Sequence, residues 1–386
     1  MRICHVITRL IIGGAQENTL LTCEGLHDRG HEVLLLAGPD AGPEGSLWDR
    51  ATGYGYRTKV INSMHRAIRP WSEWRTTREL RRAYDHFNPD IIHTHSSKAG
   101  ILGRFAARSL PNCAIVHTIH GMSFNRTQPA WVRRIYAGLE RRAARYTSRI
   151  VSVADAMTDQ AVAAGIAPRD RYTTIHSGMQ TEWFTPDEDK RRVARQKWRA
   201  HDDHIVVGTV ARLFRNKGYE QLIPAMADAA AKDERLRFVW IGDGADRDSY
   251  LDQLSHVGIR DRVTLTGLVP PDEVADRMQG FDMLVHCSQW EGLPRTVVQA
   301  LLLEIPAVSF DIDGAPEVVI DGETGKLVPL NDIPALSAAM LHLASNPQDG
   351  RSMGRAGRER CLSMFNHHHM VDQLESLYSD LLDSSR

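Results

Sequence analysis

Two doubly wound α/β domains in tandem are predicted from three observations. Nearly continuous apolar, β-rich runs alternate with longer amphipathic stretches. The pattern restarts near residue 200. The chain, at 386 residues, also exceeds what one hydrophobic core usually supports. Apolar runs separated by helical patterns are the mark of a parallel sheet covered on both faces.

Taken in order, RICHVIT, HEVLLLAG, YRTKVI, DIIHTH, AIVHTIH, RIVSVA and YTTIH read as strands of the first half. Between the first two, AQENTLLTCEGLHDRG has apolar residues at helical spacing and Gly30 as a stop. HIVVGTVARL, RFVWIGDG, RVTLTGLV, FDMLVHCS and IPAVSFDI repeat the strand pattern, each followed by a turn and a helical stretch. The charged segment 187–204 marks the junction, so the expected domains are 1–190 and 200–365. The tail 366–386 reads as a helix with Val371, Leu374, Leu377 and Leu381 on one side and the run His367–His369 at the surface.

Hydrophobic content of 42% and charged content of 25% are those of a soluble globular protein. No apolar run is long enough to span a bilayer, and no signal peptide precedes the first strand. Five scattered cysteines without C-x2-C spacing point to a reducing compartment and away from a zinc module. The expected location is therefore cytoplasmic. Net charge is −1, but residues 1–200 hold 30 basic against 19 acidic residues, and the rest is correspondingly acidic. A basic first domain suits an anionic partner such as a membrane leaflet or a phosphorylated acceptor. Its densest basic segment, Arg126–Arg149, has seven arginines and one acid, with Arg134, Arg141 and Arg145 on one helical face.

In open α/β sheets ligands sit beyond the carboxyl ends of the strands, and the chemically distinctive residues cluster at such ends. Gly13 and Gly14 follow the first strand and open a helix, where backbone and unpaired amides can approach an anion. Their spacing is not that of a dinucleotide fingerprint. Arg212 and Lys217 follow IVVGTVA and suit a diphosphate, one bidentate and one a point charge. Gly242 closes the strand RFVWI in a tight turn. The loop Glu291-Gly292-Leu293-Pro294 runs into a helix through Arg295 and Thr296. Its amides can face an anion, while Glu291 and Gln299 suit hydroxyls. His93 with His95 share a strand face, and His120 stands at a strand mouth. A metal at the histidines is not expected, because no acidic partner stands at a matching strand end.

Together these motifs resemble a retaining glycosyltransferase of family 4 (glycosyl transferases group 1). The resemblance covers nearly the whole chain: the Gly-Gly loop, D-I-I-H-T-H at 90–95, H-T-I-H-G at 117–121, I-H-S-G-M at 175–179, T-V-A-R-L with N-K-G at 209–218, I-G-D-G at 241–244, E-G-L-P at 291–294 and G-E-T-G-K-L-V at 322–328. It implies the GT-B fold, two Rossmann-like domains facing across a cleft, with the C-terminal helix crossing back to the first. It implies transfer of a sugar from a nucleotide-sugar to an acceptor hydroxyl, without a metal or other cofactor. By resemblance His120 and Glu291 are the catalytic candidates. The donor would be held by Gly13, Gly14, Arg212, Lys217, Gly242, Gly292, Leu293, Arg295, Thr296 and Gln299, and the acceptor side by His93, His95 and Lys98. The family usually has Glu where Gln299 stands. The expected partners are a nucleotide-sugar donor, a glycan or lipid-linked acceptor and an anionic membrane surface reached through Arg126–Arg149, with no nucleic acid. A nucleotide-sugar 2-epimerase, which would act without an acceptor, and a catalytically silent glycan- or nucleotide-binding protein are the alternatives.

Overall fold

A computed structural model of the chain describes residues 1–39, 42, 45–125 and 127–384. It divides into two compact units, Met1–Met179 with His367–Arg386, and Gln180–Asn366.

The first unit is built on seven parallel strands: β1 Arg2–Arg9, β2 Glu32–Gly38, β3 Arg57–Val60, β4 Ile91–His95, β5 Ala114–Ile119, β6 Arg149–Ser152 and β7 Tyr172–Thr174. Their order is β3-β2-β1-β4-β5-β6-β7, which reverses direction between β1 and β4. Strand side chains alternate between faces, so Ile3, Ile7 and Leu35 pack with the helix Gly14–Asp28, while Cys4, Val6 and Leu36 pack with Pro70–Phe87 and Ser97–Ala107. The closing helix His367–Asp383 places Met370, Val371, Leu374 and Tyr378 in the first of these clusters.

The second unit has six parallel strands: β8 Ile205–Val210, β9 Leu236–Ile241, β10 Val263–Leu265, β11 Met283–His286, β12 Ala307–Phe310 and β13 Gly325–Val328. The order β10-β9-β8-β11-β12-β13 reverses between β8 and β11. This is the doubly wound arrangement, and the reversal opens a crevice at the carboxyl ends of the two central strands.

Three details differ from the sequence reading. The first unit ends at Met179, not 190, because the helix Glu188–Lys197 packs by Arg191 and Arg195 onto Asp282 of the second unit at 2.5 and 2.9 Å. Strand β13 lies in a four-residue Gly-flanked segment too short to show a period. His367 is buried against the carbonyl of Met179, and only His368 and His369 are exposed.

Candidate active site

In the second unit the three loops singled out by sequence converge at the carboxyl ends of β8, β9 and β11. After β8 the chain passes Arg212 and enters a short 3-10 turn, Arg215–Lys217. Gly218 follows at φ +76°, a conformation that only glycine adopts readily, and a Cβ there would collide with the carbonyl of Cys287 at the end of β11. Close approach of the two loops thus depends on Gly218. Gln289 N–H donates to the Asn216 carbonyl at 3.0 Å and draws the loops together again. Gly242, at φ +138°, lies directly against the Ala211 carbonyl, so its role is to close the β9 turn onto the β8 loop. Arg212 is exposed, with its guanidinium 5.1 Å from the Phe214 ring centre.

The clamp brings Lys217 Nζ to 2.6 Å from Glu291 Oε1. His286, the last residue of β11, places Nε2 3.3 Å from the same oxygen and Nδ1 3.3 Å from Thr296 Oγ1. Glu291 N–H donates to Asp313 Oδ2 at 2.7 Å. Burial opposes ionisation of Glu291, but Lys217 and His286 outweigh it and hold the carboxyl well below the usual carboxylate range. The acid is therefore a fixed anion at neutral pH. Both contacts fall on Oε1, which leaves Oε2 to accept from a hydroxyl. Lys217 likewise spends one of three N–H donors on Glu291. Gly292 and Leu293 are buried, and Arg295 and Thr296 begin the helix Arg295–Leu302, in whose second turn Gln299 is half-buried. His286 and Asp313 were not singled out from the sequence. His286 is the polar residue that closes the apolar run of β11, a signal the sequence does carry, but nothing local ties Asp313 to Glu291, 22 residues away.

In the first unit Gly13 is extended at φ 177° and the helix begins at Gly14. The histidines form a buried row. His5 Nδ1 lies 3.0 Å from His95 Nε2, and His95 Nδ1 lies 3.0 Å from His120 Nε2. His93 bonds Tyr378 OH at 2.5 Å and Thr118 Oγ1 at 2.6 Å. Ring nitrogens of His5, His93 and His95 fall within 4.8 Å of one another, close enough for a metal. Both nitrogens of His93, however, are taken by hydroxyls, so the row is a hydrogen-bond network. This corrects the acceptor-side reading: His93 and His95 point into the core under the closing helix, at 0% and 1% exposure. Lys98 is corrected too. Its ammonium donates to the carbonyls of His65 and Ala67 and pairs with Glu73 at 2.7 Å, so its bonds are internal. His120 lines a 240 Å³ cavity at the ends of β4 and β5, shared with Gly121, Ser123 and the buried Arg104–Glu140 pair. Of the basic helix, Arg141 donates to the carbonyls of Gly165 and Ala164 at 2.7 and 3.1 Å; Arg126 lies outside the described residues.

The histidine row has a consequence for stability. Burial pushes His5 down to about 3, and burial with neighbouring charges pushes His93, His95 and His117 well below 6.5. They are neutral when folded and take up protons when unfolded, so their stabilisation is complete above about pH 6.5 and is lost progressively as pH falls below it, for His5 down to about 3. Each contributes up to about 1.4 kcal/mol per pH unit in that window. Urea midpoints measured from pH 7.5 to 5 are expected to fall steeply below 6.5, and a flat profile would contradict neutral burial.

Two doubly wound domains, the second with cations and a fixed carboxylate at its topological switch point, make up the two-domain α/β architecture called GT-B. The fold stands close to that of Anabaena HepE in complex with UDP-glucose, at TM-score 0.85 and 19% identity over 98% of this chain and 100% of that one. Residues 12–183 match the model "Glycosyltransferase Family 4" and residues 190–360 match "Glycosyl transferases group 1". The chain belongs to glycosyltransferase family 4. Among curated relatives, it is 26% identical to the Escherichia coli UDP-Gal:α-D-GlcNAc-diphosphoundecaprenol α-1,3-galactosyltransferase over 99% of this chain and 97% of the relative. It is 21% identical to the Staphylococcus aureus capsular polysaccharide biosynthesis glycosyltransferase CapM over 83% and 85%.

Proposed function

We propose that the protein is a retaining, metal-independent glycosyltransferase that moves a sugar from a UDP-sugar to a hydroxyl of a lipid-linked glycan. It would act in polysaccharide or glycolipid synthesis at the inner face of a membrane. The observation that carries this reading is the Lys217–Glu291 pair at the switch point of the second unit, with donors and one carboxylate oxygen left for a ligand. The diphosphate leaves as negative charge builds on it, and Arg212 and Lys217 supply the compensating charge that a divalent cation supplies elsewhere. Glu291 accepts from a donor-sugar hydroxyl, and the amides at Leu293, Arg295 and Thr296 face the phosphates. His120, at the end of β5 in the first unit, is kept as the residue that the family resemblance gives to a sugar hydroxyl. UDP and a diphospholipid acceptor are drawn from the named substrates of the relatives.

A thermal-shift screen tests the donor: UDP-sugars raise the melting temperature, while GDP- and ADP-sugars leave it unchanged. Stabilisation by none of them overturns the donor site. NMR of the product's anomeric centre tests retention, and an inverted linkage overturns it. In the same screen Gln299→Glu is expected to tighten donor binding about fivefold, the difference between a neutral and a charge-assisted hydrogen bond. Unchanged affinity removes position 299 from the ribose.

A further inference from the structure

One buried polar atom at the site of the second unit is left without an aligned partner. His286 is 7% exposed, and its Nε2 stands 3.3 Å from Glu291 Oε1 without meeting that oxygen in line. Lys217 already holds the same oxygen at 2.6 Å. A buried imidazole nitrogen in that position is costly unless some state of the protein uses it.

Its surroundings show what would use it. Cys287, next in the chain, carries a thiol that burial keeps protonated, and across the ladder His286 pairs with Ser309 of β12. The helix Arg295–Leu302 sets Thr296 Oγ1 at 3.3 Å from Nδ1 of the ring, with Arg295 one residue before it. His286 and Lys217, the latter from the loop after β8, meet at Glu291 Oε1. Asp313, from the loop after β12, acts one step away on the Glu291 amide.

Glu291 thus has two counter-ions at hand for one oxygen. With the ammonium in place, a proton on His286 would stand beside a like charge and gain little. A bound diphosphate changes the balance. Its oxygens compete for Lys217, and an ammonium that turns to them leaves the Glu291 side chain, 18% exposed, without the leading charge that keeps it ionised. A buried carboxylate stripped of its cation is costly, whereas a histidine gains a proton readily near neutral pH. His286 is already in place beside the oxygen.

Protonation acts at both ring nitrogens. In the neutral ring with its hydrogen on Nε2, Nδ1 accepts from the Thr296 hydroxyl. The imidazolium donates from both, through Nε2–H to Glu291 and through Nδ1–H to Thr296 Oγ1, whose own hydrogen then turns away. Thr296 lies in the first turn of its helix, where unpaired amides suit an anion. One proton therefore fastens the carboxylate at the sugar end of the site and releases a hydroxyl donor at the phosphate end.

We propose that His286 is the positioning residue that takes over Glu291 when Lys217 turns to the donor diphosphate, gaining one proton from solvent as it does so. The trigger rests on the donor reading above. The exchange of counter-ions itself belongs to Lys217, Glu291 and His286, and it is tested both with and without nucleotide.

Isothermal titration calorimetry of the full chain with UDP at about pH 8, in buffers of different ionisation enthalpy, counts the protons taken up. The parent is expected to gain up to about one proton per UDP, and its affinity to fall as pH rises from about 7 to 8.5, by at most about tenfold per unit. His286→Gln still donates to Glu291 but carries no charge. It is expected to take up no proton and to hold its affinity level over that range, with circular dichroism unchanged. Without nucleotide, carbon-13 shifts of the His286 ring report its charge. In Lys217→Ala the ring is expected to keep its proton to higher pH than in the parent, and in Lys217→Ala/Glu291→Gln it is not. Equal proton uptake by the parent and His286→Gln, or a His286 ring indifferent to Lys217→Ala, overturns the proposal. If UDP fails to bind while the ring does respond to Lys217→Ala, the counter-ion exchange stands and the UDP reading alone is lost.

Discussion

Replacing Lys217 by alanine is expected to lower kcat/KM by on the order of 10²–10³-fold, the loss for one preorganised charge-stabilising donor. The loss falls chiefly on kcat, because the charge on the departing diphosphate is larger in the transition state than in the bound donor. The variant carries a second signature. Lys217 leads the interactions that keep Glu291 ionised against its burial. Without it the carboxyl pKa climbs, and the residual activity acquires an acid limb absent from the parent. Steady-state kinetics across pH read both effects. Turnover and donor affinity equal to the parent's would remove Lys217 from the phosphate.

Glu291→Gln is the second large effect, also about 10²-fold. The amide keeps the shape of the side chain but loses the charge that binds Lys217 at 2.6 Å and faces His286 at 3.3 Å. A group that orients another and also touches substrate acts as part of a unit, and the effects of such groups do not add. The Lys217→Ala/Glu291→Gln double variant is therefore expected to lose little more than the worse single variant. Full additivity would mean that the pair observed at rest does not work as a pair in the reaction.

The strands and the strand-end residues were legible because each depends on local order. A parallel strand buried on both faces is usually a nearly apolar run, so β1, β5, β8 and β11 announce themselves, whereas β4 (IIHTH) is buried with His93, Thr94 and His95 in it. Arg212, Lys217 and Glu291 stand out because they lie in the loops that follow β8 and β11, at the carboxyl ends where ligands of such sheets sit. What the sequence concealed depends on distant partners. Lys98 sits at a strand end like Lys217, yet its ammonium is consumed by two carbonyls and Glu73. His93 and His95 share a face as expected, but that face is roofed by Tyr378, 285 residues away. Asp313 reaches the site through a backbone amide, a contact with no trace in residue spacing.

The closing helix has a temporal consequence. Tyr378 and Leu374 complete the core over β1 and β4, yet they are synthesised after the whole of Gln180–Asn366. At typical translation speeds that interval is on the order of 10–40 s. During it the second unit, continuous in the chain, can fold to completion, while the first waits with Leu20, Leu21 and His93 uncovered. The nascent first half is thus the segment most in need of chaperone cover, and ribosome-stalled chains ending before His367 should be the protease-sensitive ones.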